Sequence, residues 1–218
     1  MPRYYNNWPG KLYYEFNVEL NETFSQAYQD IFVLSLLNGK NYGWYLEIGC
    51  NVPDYTNNTY LLTKDFNWNG ISIDYQDFGD LWRSERPNNF FFPMNALTAD
   101  YNSLLSNKKQ IDYLQLDIEP SYNTFEVLKI LPTNQRYAII TFETDYYLGG
   151  DNIRVRTESR EYLKNLGYEL IVPDVLVDNG NPYEDWYVDL NLVDRHIALD
   201  IQERATITSD PKKLLFNI

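Results

Sequence analysis

Two short apolar runs constrain this chain more than anything else in it. Tyr45-Leu46-Glu47-Ile48-Gly49-Cys50 reads as a buried strand ending in an acidic residue and a glycine, where a nucleotide-like cofactor can approach the backbone. Gly70-Ile71-Ser72-Ile73-Asp74 follows about one βαβ unit later and ends in a carboxylate, the spacing expected for gripping a ribose. Together they point to an adenosine-containing cofactor.

The rest of the chain supplies further strands and helices in alternation. A helix is expected from Ser25-Gln26-Ala27-Tyr28-Gln29-Asp30 through Ile31 to Leu37, stopped by Asn38-Gly39. Strands are expected at 45–48, 71–74, 89–94, 111–117, 137–143, 168–172 and 185–188, and further helices at 57–66, 124–131 and 158–166. Pro93 argues that its strand lies at an end or an edge. Alternation of this kind implies an α/β fold: a doubly wound, mostly parallel, Rossmann-like sheet with helices on both faces. With 218 residues and no linker, the expectation is one domain over 1–218, with 1–20 an N-terminal arm or cap. The last third reads as more irregular, with a turn at Asp178-Asn179-Gly180-Asn181-Pro182.

Charge narrows the partners. Acidic residues outnumber basic ones 31 to 18, a formal net charge of −13, so a phosphate-tracking surface would be a local exception in a repulsive field. Nucleic acid is therefore not expected as a partner. Cys50 is the only cysteine, which excludes an intrachain disulfide and a thiolate zinc cluster within the chain. The first residues lack the apolar core of a signal peptide, and no stretch reaches the roughly 18 apolar residues that span a bilayer. The expectation is a cytoplasmic protein with no membrane partner. The many tyrosines, Tyr4, Tyr5, Tyr13, Tyr14, Tyr146 and Tyr147 among them, are assigned mainly to packing.

In an open parallel sheet, ligands sit beyond the carboxyl ends of the strands. Glu47, Asp74, Asp117 and Glu143 all fall at such ends. A dinucleotide usually demands Gly-x-Gly-x-x-Gly, but here Gly49 is followed by Cys50-Asn51-Val52-Pro53-Asp54. A cofactor without phosphates is easier to house. S-adenosylmethionine fits, with Gly49 permitting close approach, Asp74 accepting the ribose hydroxyls, and Asn57, Asn58 and Thr59 meeting the amino acid end at a helix start.

The same residues resemble the FkbM-type methyltransferases of the class I S-adenosylmethionine-dependent fold. The resemblance runs in order through Ser25–Asp30, Leu46-Glu47-Ile48-Gly49-Cys50-Asn51, Asn57-Asn58-Thr59 and Trp68-Asn69-Gly70-Ile71-Ser72-Ile73-Asp74. It continues through Asp112–Pro120, Thr141-Phe142-Glu143-Thr144-Asp145 and Glu158–Leu163, covering most of 22–190. It implies methyl transfer to an oxygen of a sugar or other small hydroxylated acceptor. By this resemblance Glu47 and Gly49 hold the methionine end, Asp74 the ribose, and Asn95-Ala96 the adenine edge, with Gln26 and Gln29 close to cofactor or acceptor. Similar chains more often carry Asp where this one has Asn95, and histidine where it has Thr144.

Proton removal falls to Asp117 as first candidate, with Glu119, Glu143 and Asp145 behind it. Carboxylates also suit magnesium, but hydrogen bonding is the preferred use here, so no metal is expected. His196 and Cys50 are left out of the site as surface and packing residues. The competing readings are a nicotinamide-dependent sugar-modifying enzyme, which lacks its glycine fingerprint, and a non-catalytic binding module retaining the fold.

Overall fold

The computed structural model describes residues 8–16, 18–108, 110–177 and 180–218. Tyr4, Tyr5 and the Asp178-Asn179 half of the expected turn lie outside the described residues. In chain order the elements are β1 (Lys11–Leu12), α1 (Gln29–Leu36), β2 (Trp44–Ile48), α2 (Tyr60–Phe66), β3 (Asn69–Asp74), α3 (Gly79–Glu85), β4 (Phe90–Pro93) and α4 (Tyr101–Leu104). They continue as β5 (Gln110–Leu116), α5 (Ser121–Ile130), β6 (Arg136–Glu143), α6 (Asp151–Asn165), β7 (Glu169–Val177), β8 (Asn181–Val188), α7 (Arg195–Ala205), α8 (Pro211–Leu215) and β9 (Phe216–Asn217).

Seven strands form one sheet in the order β4-β3-β2-β5-β6-β8-β7. The pairs β4/β3, β3/β2, β2/β5 and β5/β6 are parallel. Strand β8 runs antiparallel between β6 and β7. The chain therefore builds outward from β2 through β3 to β4, then returns to lay β5 on the other side of β2. That reversal opens a crevice beyond the carboxyl ends of β2 and β5.

Strand β2 shows how the sequence enforces two-sided burial. Leu46 and Ile48 enter the core on one face of the sheet, while Tyr45 joins the core on the other, as alternation requires. Helix α1 is buried along its whole length, so it packs as a core helix rather than an amphipathic cover. Strand β4, with Pro93, is the sheet edge that the proline foretold.

Several local expectations shift. Residues 25–28 are not helical; Thr23, Phe24 and Ser25 wrap instead around the buried Asp30 carboxylate, with Thr23 Oγ1 and Ser25 Oγ donating at 2.6 Å and Phe24 N–H at 2.9 Å. Short polar side chains compete with the helical backbone in this way. The supposedly irregular last third is a long β7/β8 hairpin followed by α7, whose Asp194 carboxylate caps His196 N–H and Ile197 N–H. Charged residues inside strands obscured the pattern: Asp185 is wholly buried in β8 and is gripped by Arg160 at 2.7 and 2.6 Å. No helix among the described residues is long and apolar enough to cross a membrane.

Candidate active site

The crevice at the strand-order reversal is a cleft of about 480 Å³, inside the roughly 300–1,000 Å³ typical of small-molecule and cofactor sites. Gly49, Asp74, Asn58, Gln115, Asp117 and Gln26 are among its walls. Gly49 adopts φ +81°, and a Cβ there would lie 1.5 Å from the Asp117 carbonyl oxygen. The close approach this glycine permits is between the ends of β2 and β5, which brings the two halves of the site together. Its value is first architectural, not room for a ligand.

One pole of the cleft is built on Asp74 and the loop after β2. Asp74 is half-buried, and its carboxylate accepts Asn51 N–H at 2.7 Å and Gln76 N–H at 2.9 Å. Asn57 Nδ2 ties the loop to the Cys50 and Val52 carbonyls at 3.1 and 3.2 Å. Beneath lies Glu47, 1% exposed, whose Oε2 accepts Thr59 Oγ1 at 3.0 Å and Ser72 Oγ at 2.9 Å. Burial pushes its carboxyl above the usual range, while Arg86, Ser72, Thr59 and Asn57 pull it back.

Arg86 is the residue that sequence reasoning missed. It is buried, donates from Nη1 to Thr59 Oγ1 at 2.7 Å and from Nη2 to Asn57 Oδ1 and the Pro53 carbonyl. Its guanidinium also faces the Trp82 ring, 4.6 Å from the centroid. It arrives from the end of α3, an element absent from the sequence reading, and nothing in its neighbours announces the role. Gln115 was missed as well, although a polar residue between Tyr113 and Asp117 on one face of β5 was a legible signal. Asn58 Oδ1 and Gln115 Oε1 are buried acceptors with no protein donor, and both residues line the cleft. Such atoms are rarely left bare; a ligand carrying N–H groups would satisfy them.

The other pole is acidic. Asp117 is pushed up by burial, with Asp74's charge adding to the rise and a hydrogen bond with Glu143 opposing it. Glu143 is pushed well above the usual carboxyl range by burial and by Asp117. Asp145 is pushed up to about 6 by burial and the charges of Glu119 and Asp117. Glu184, pushed up to about 8 by burial, accepts Tyr183 OH at 2.8 Å and Trp186 Nε1–H at 2.6 Å.

The structure thus gathers Gln26, Glu47, Gly49, Asn58, Asp74, Asp117 and Glu119 around one cleft. Thr59 sits behind it against Glu47, and Glu143 beside Asp117. Asn95 and Ala96 are not part of its lining. Asn95 Oδ1 instead accepts Leu97 N–H at 2.9 Å to start a single helical turn, and Ala96 is buried. Gln29 turns inward to Tyr183, while His196 is exposed at the start of α7.

No protein-family model matches the chain, and no curated protein matches it. Solved structures do. A proposed rRNA-methylase from Clostridium thermocellum superposes with TM-score 0.50 and 17% identity over 78% of this chain and 97% of that one. A chain of the fibrillarin/Nop5p complex gives TM-score 0.50 and 14% identity over 84% and 91%. The TrmK of M. capricolum, solved with S-adenosyl-homocysteine, gives 0.48 and 14% over 74% and 68%. At these identities the likeness is one of fold: the protein has the α/β, Rossmann-like fold of the class I methyltransferases.

The exclusion of nucleic acid is corrected by the same comparison. A neighbour sharing this fold is described as an rRNA-methylase, so neither the fold nor the overall charge removes nucleic acid from the acceptor classes. Net charge sums the whole surface, whereas an acceptor meets only the local field.

Proposed function

We propose that this chain is an S-adenosylmethionine-dependent methyltransferase acting on a hydroxyl of a small, hydroxylated acceptor. The observation that carries the reading is the pair of unpartnered buried acceptors, Asn58 Oδ1 and Gln115 Oε1, lining the cleft beside Glu47. They suit the ammonium of an amino acid end, and Asp74, in the same cleft, suits ribose hydroxyls. S-adenosylmethionine, when bound, supplies an electrophilic methyl on a sulfonium. The protein's part is to hold donor and acceptor in line and exclude water, which is where much of such a rate enhancement originates. Asp117 takes the proton from the acceptor hydroxyl as that oxygen forms its new bond.

The finer FkbM-type likeness is supported by the ordered motifs from Ser25 to Leu163. Adenine contact by Asn95 has less support, since its carbonyl is engaged in capping. The same proposal takes the chain as one domain with residues 1–20 as an arm, in a cytoplasmic setting that suits the buried free thiol of Cys50. Against a silent binding module stands the open cleft between Gly49 and Asp74.

Calorimetry with S-adenosylmethionine and its demethylated product tests the cofactor directly. Binding of both is expected; a folded protein that binds neither while a nicotinamide cofactor raises its melting temperature refutes the proposal. Transfer of labelled methyl onto sugars, nucleotide sugars, small hydroxylated metabolites and RNA oligonucleotides then identifies the acceptor class.

A further inference from the structure

The acidic pole has a geometry that the sequence concealed. Glu119 follows β5, Glu143 ends β6 and Asp145 lies beyond it, yet one oxygen from each lies within 4.8 Å of the others. Among the described residues, no Lys, Arg or His forms an ion pair with any of them or with the adjacent Asp117. A second observation points to a ligand. Glu143 is only 9% exposed, and its Oε2 is buried with no hydrogen-bond partner. Leaving such an oxygen bare is costly, and more so when it is charged.

We propose that Glu119, Glu143 and Asp145 hold a divalent cation at the acidic end of the cleft. An all-oxygen, carboxylate donor set selects a hard ion such as Mg²⁺, Mn²⁺ or Ca²⁺. Glu143 Oε2 is the buried oxygen left without a partner, and a cation would satisfy it. Glu119, exposed at the rim, leaves the ion open toward the cleft, where Glu119 and Asp117 both form the wall. Its role in catalysis rests on the methyltransferase reading; its binding does not. In that role the ion binds the acceptor oxygen and makes its hydroxyl more acidic. The proton passes to Asp117, the oxygen lone pair forms the O–C bond to the methyl, and the S–C bond breaks with its electron pair remaining on sulfur.

The test uses full-length protein dialysed against chelator and titrated with Mn²⁺, with free Mn²⁺ followed by electron paramagnetic resonance. One saturable site is expected, displaced by Mg²⁺ or Ca²⁺. The double substitution Glu119→Gln/Asp145→Asn should weaken it at least tenfold, and Glu143→Gln should do the same. Melting temperatures in chelator show that each variant is folded, because neutralising crowded carboxyls does not remove packing. Absence of saturable Mn²⁺ binding by the wild type, or equal binding by folded variants, overturns the inference. Calorimetry with S-adenosylmethionine on the same chelated samples separates the two readings. Cofactor binding without Mn²⁺ binding defeats only the ion site, and the converse defeats only the methyltransferase.

Discussion

Replacing Arg86 with leucine should be among the most damaging single changes near the cleft. The side chain is 3% exposed and braces the loop after β2 from below. It donates to Thr59 Oγ1 at 2.7 Å, Asn57 Oδ1 at 2.5 Å, and the Pro53 carbonyl, with a longer 3.4 Å contact to Tyr45 OH. Leucine keeps part of the stem volume but none of the donors, and it leaves Glu47 buried without its cation. Leaving the buried Thr59 Oγ1, Asn57 Oδ1 and Pro53 carbonyl without this donor costs about 1–3 kcal/mol each, about 3–5 kcal/mol together because Thr59 and Asn57 keep other partners. For a chain of this size each kcal/mol moves the melting temperature by about 2–4 °C, so a fall of roughly 6–20 °C is expected. Arg86→Lys keeps the charge without the planar fork and should fall between the two. Urea unfolding gives the stability, and calorimetry with S-adenosylmethionine should show binding lost in parallel, because Asn57 and Thr59 lose their brace. Glu47→Gln should cost much less in the Arg86→Leu background than in the wild type, since its charge is then already uncompensated. An Arg86→Leu variant within about 1 kcal/mol of wild type, or no coupling to Glu47, would refute the reasoning.

Other outcomes follow from the same geometry. Gly49→Ala places a Cβ 1.5 Å from the Asp117 carbonyl at φ +81°, so overpacking and backbone strain should together cost at least about 3 kcal/mol in urea unfolding; a wild-type midpoint would contradict the contact. Asp74→Ala should weaken S-adenosylmethionine by about 10–100-fold, the equivalent of losing charge-assisted bonds worth about 1.5–3 kcal/mol. Its unfolding midpoint should barely move because the residue is only half-buried, and unchanged affinity by calorimetry would remove Asp74 from the site. Asp189, gripped by Arg136 at 2.9 and 2.6 Å, is held below the usual carboxyl range despite burial, by Asn191 N–H and Arg136. A depressed folded pKa stabilises above the unfolded value near 4 and is lost as pH falls through the folded one. The stability gap between wild type and Asp189→Asn should therefore be full at pH 6 and shrink below about pH 4; a gap independent of pH would show that the pair contributes no charge-linked stability.

Much of the scaffold was readable along the chain because the central strands are buried on both faces and bounded by turn residues. Strands β2, β3, β5 and β6 announce themselves as apolar runs, and their order with intervening helices implies the parallel sheet. Elements whose signals are mixed were lost or cut short: α3, with Asp80, Arg83 and Glu85 among its residues, was missed, and β8 was expected only over 185–188, because Glu184 and Asp185 are buried only where other side chains satisfy them. A sequence pattern cannot price a buried charge without knowing its partner.

The site divides along the same line. Sequence alone determined that carboxylates end successive strands and that a lone glycine follows the first, since a strand's end and a glycine's backbone freedom are local properties. Only the tertiary structure decided what these residues face. It set Gly49 against the Asp117 carbonyl, slid Arg86 under Glu47, turned Asn95 to its own backbone, and drew Glu119, Glu143 and Asp145 together. Those outcomes depend on which strand lies beside which, and in a sheet ordered β4-β3-β2-β5-β6-β8-β7 neighbours in space are distant in the chain. Coulomb interaction and desolvation act across that space, so the chemistry of the acidic pole could not be read from the spacing of its residues.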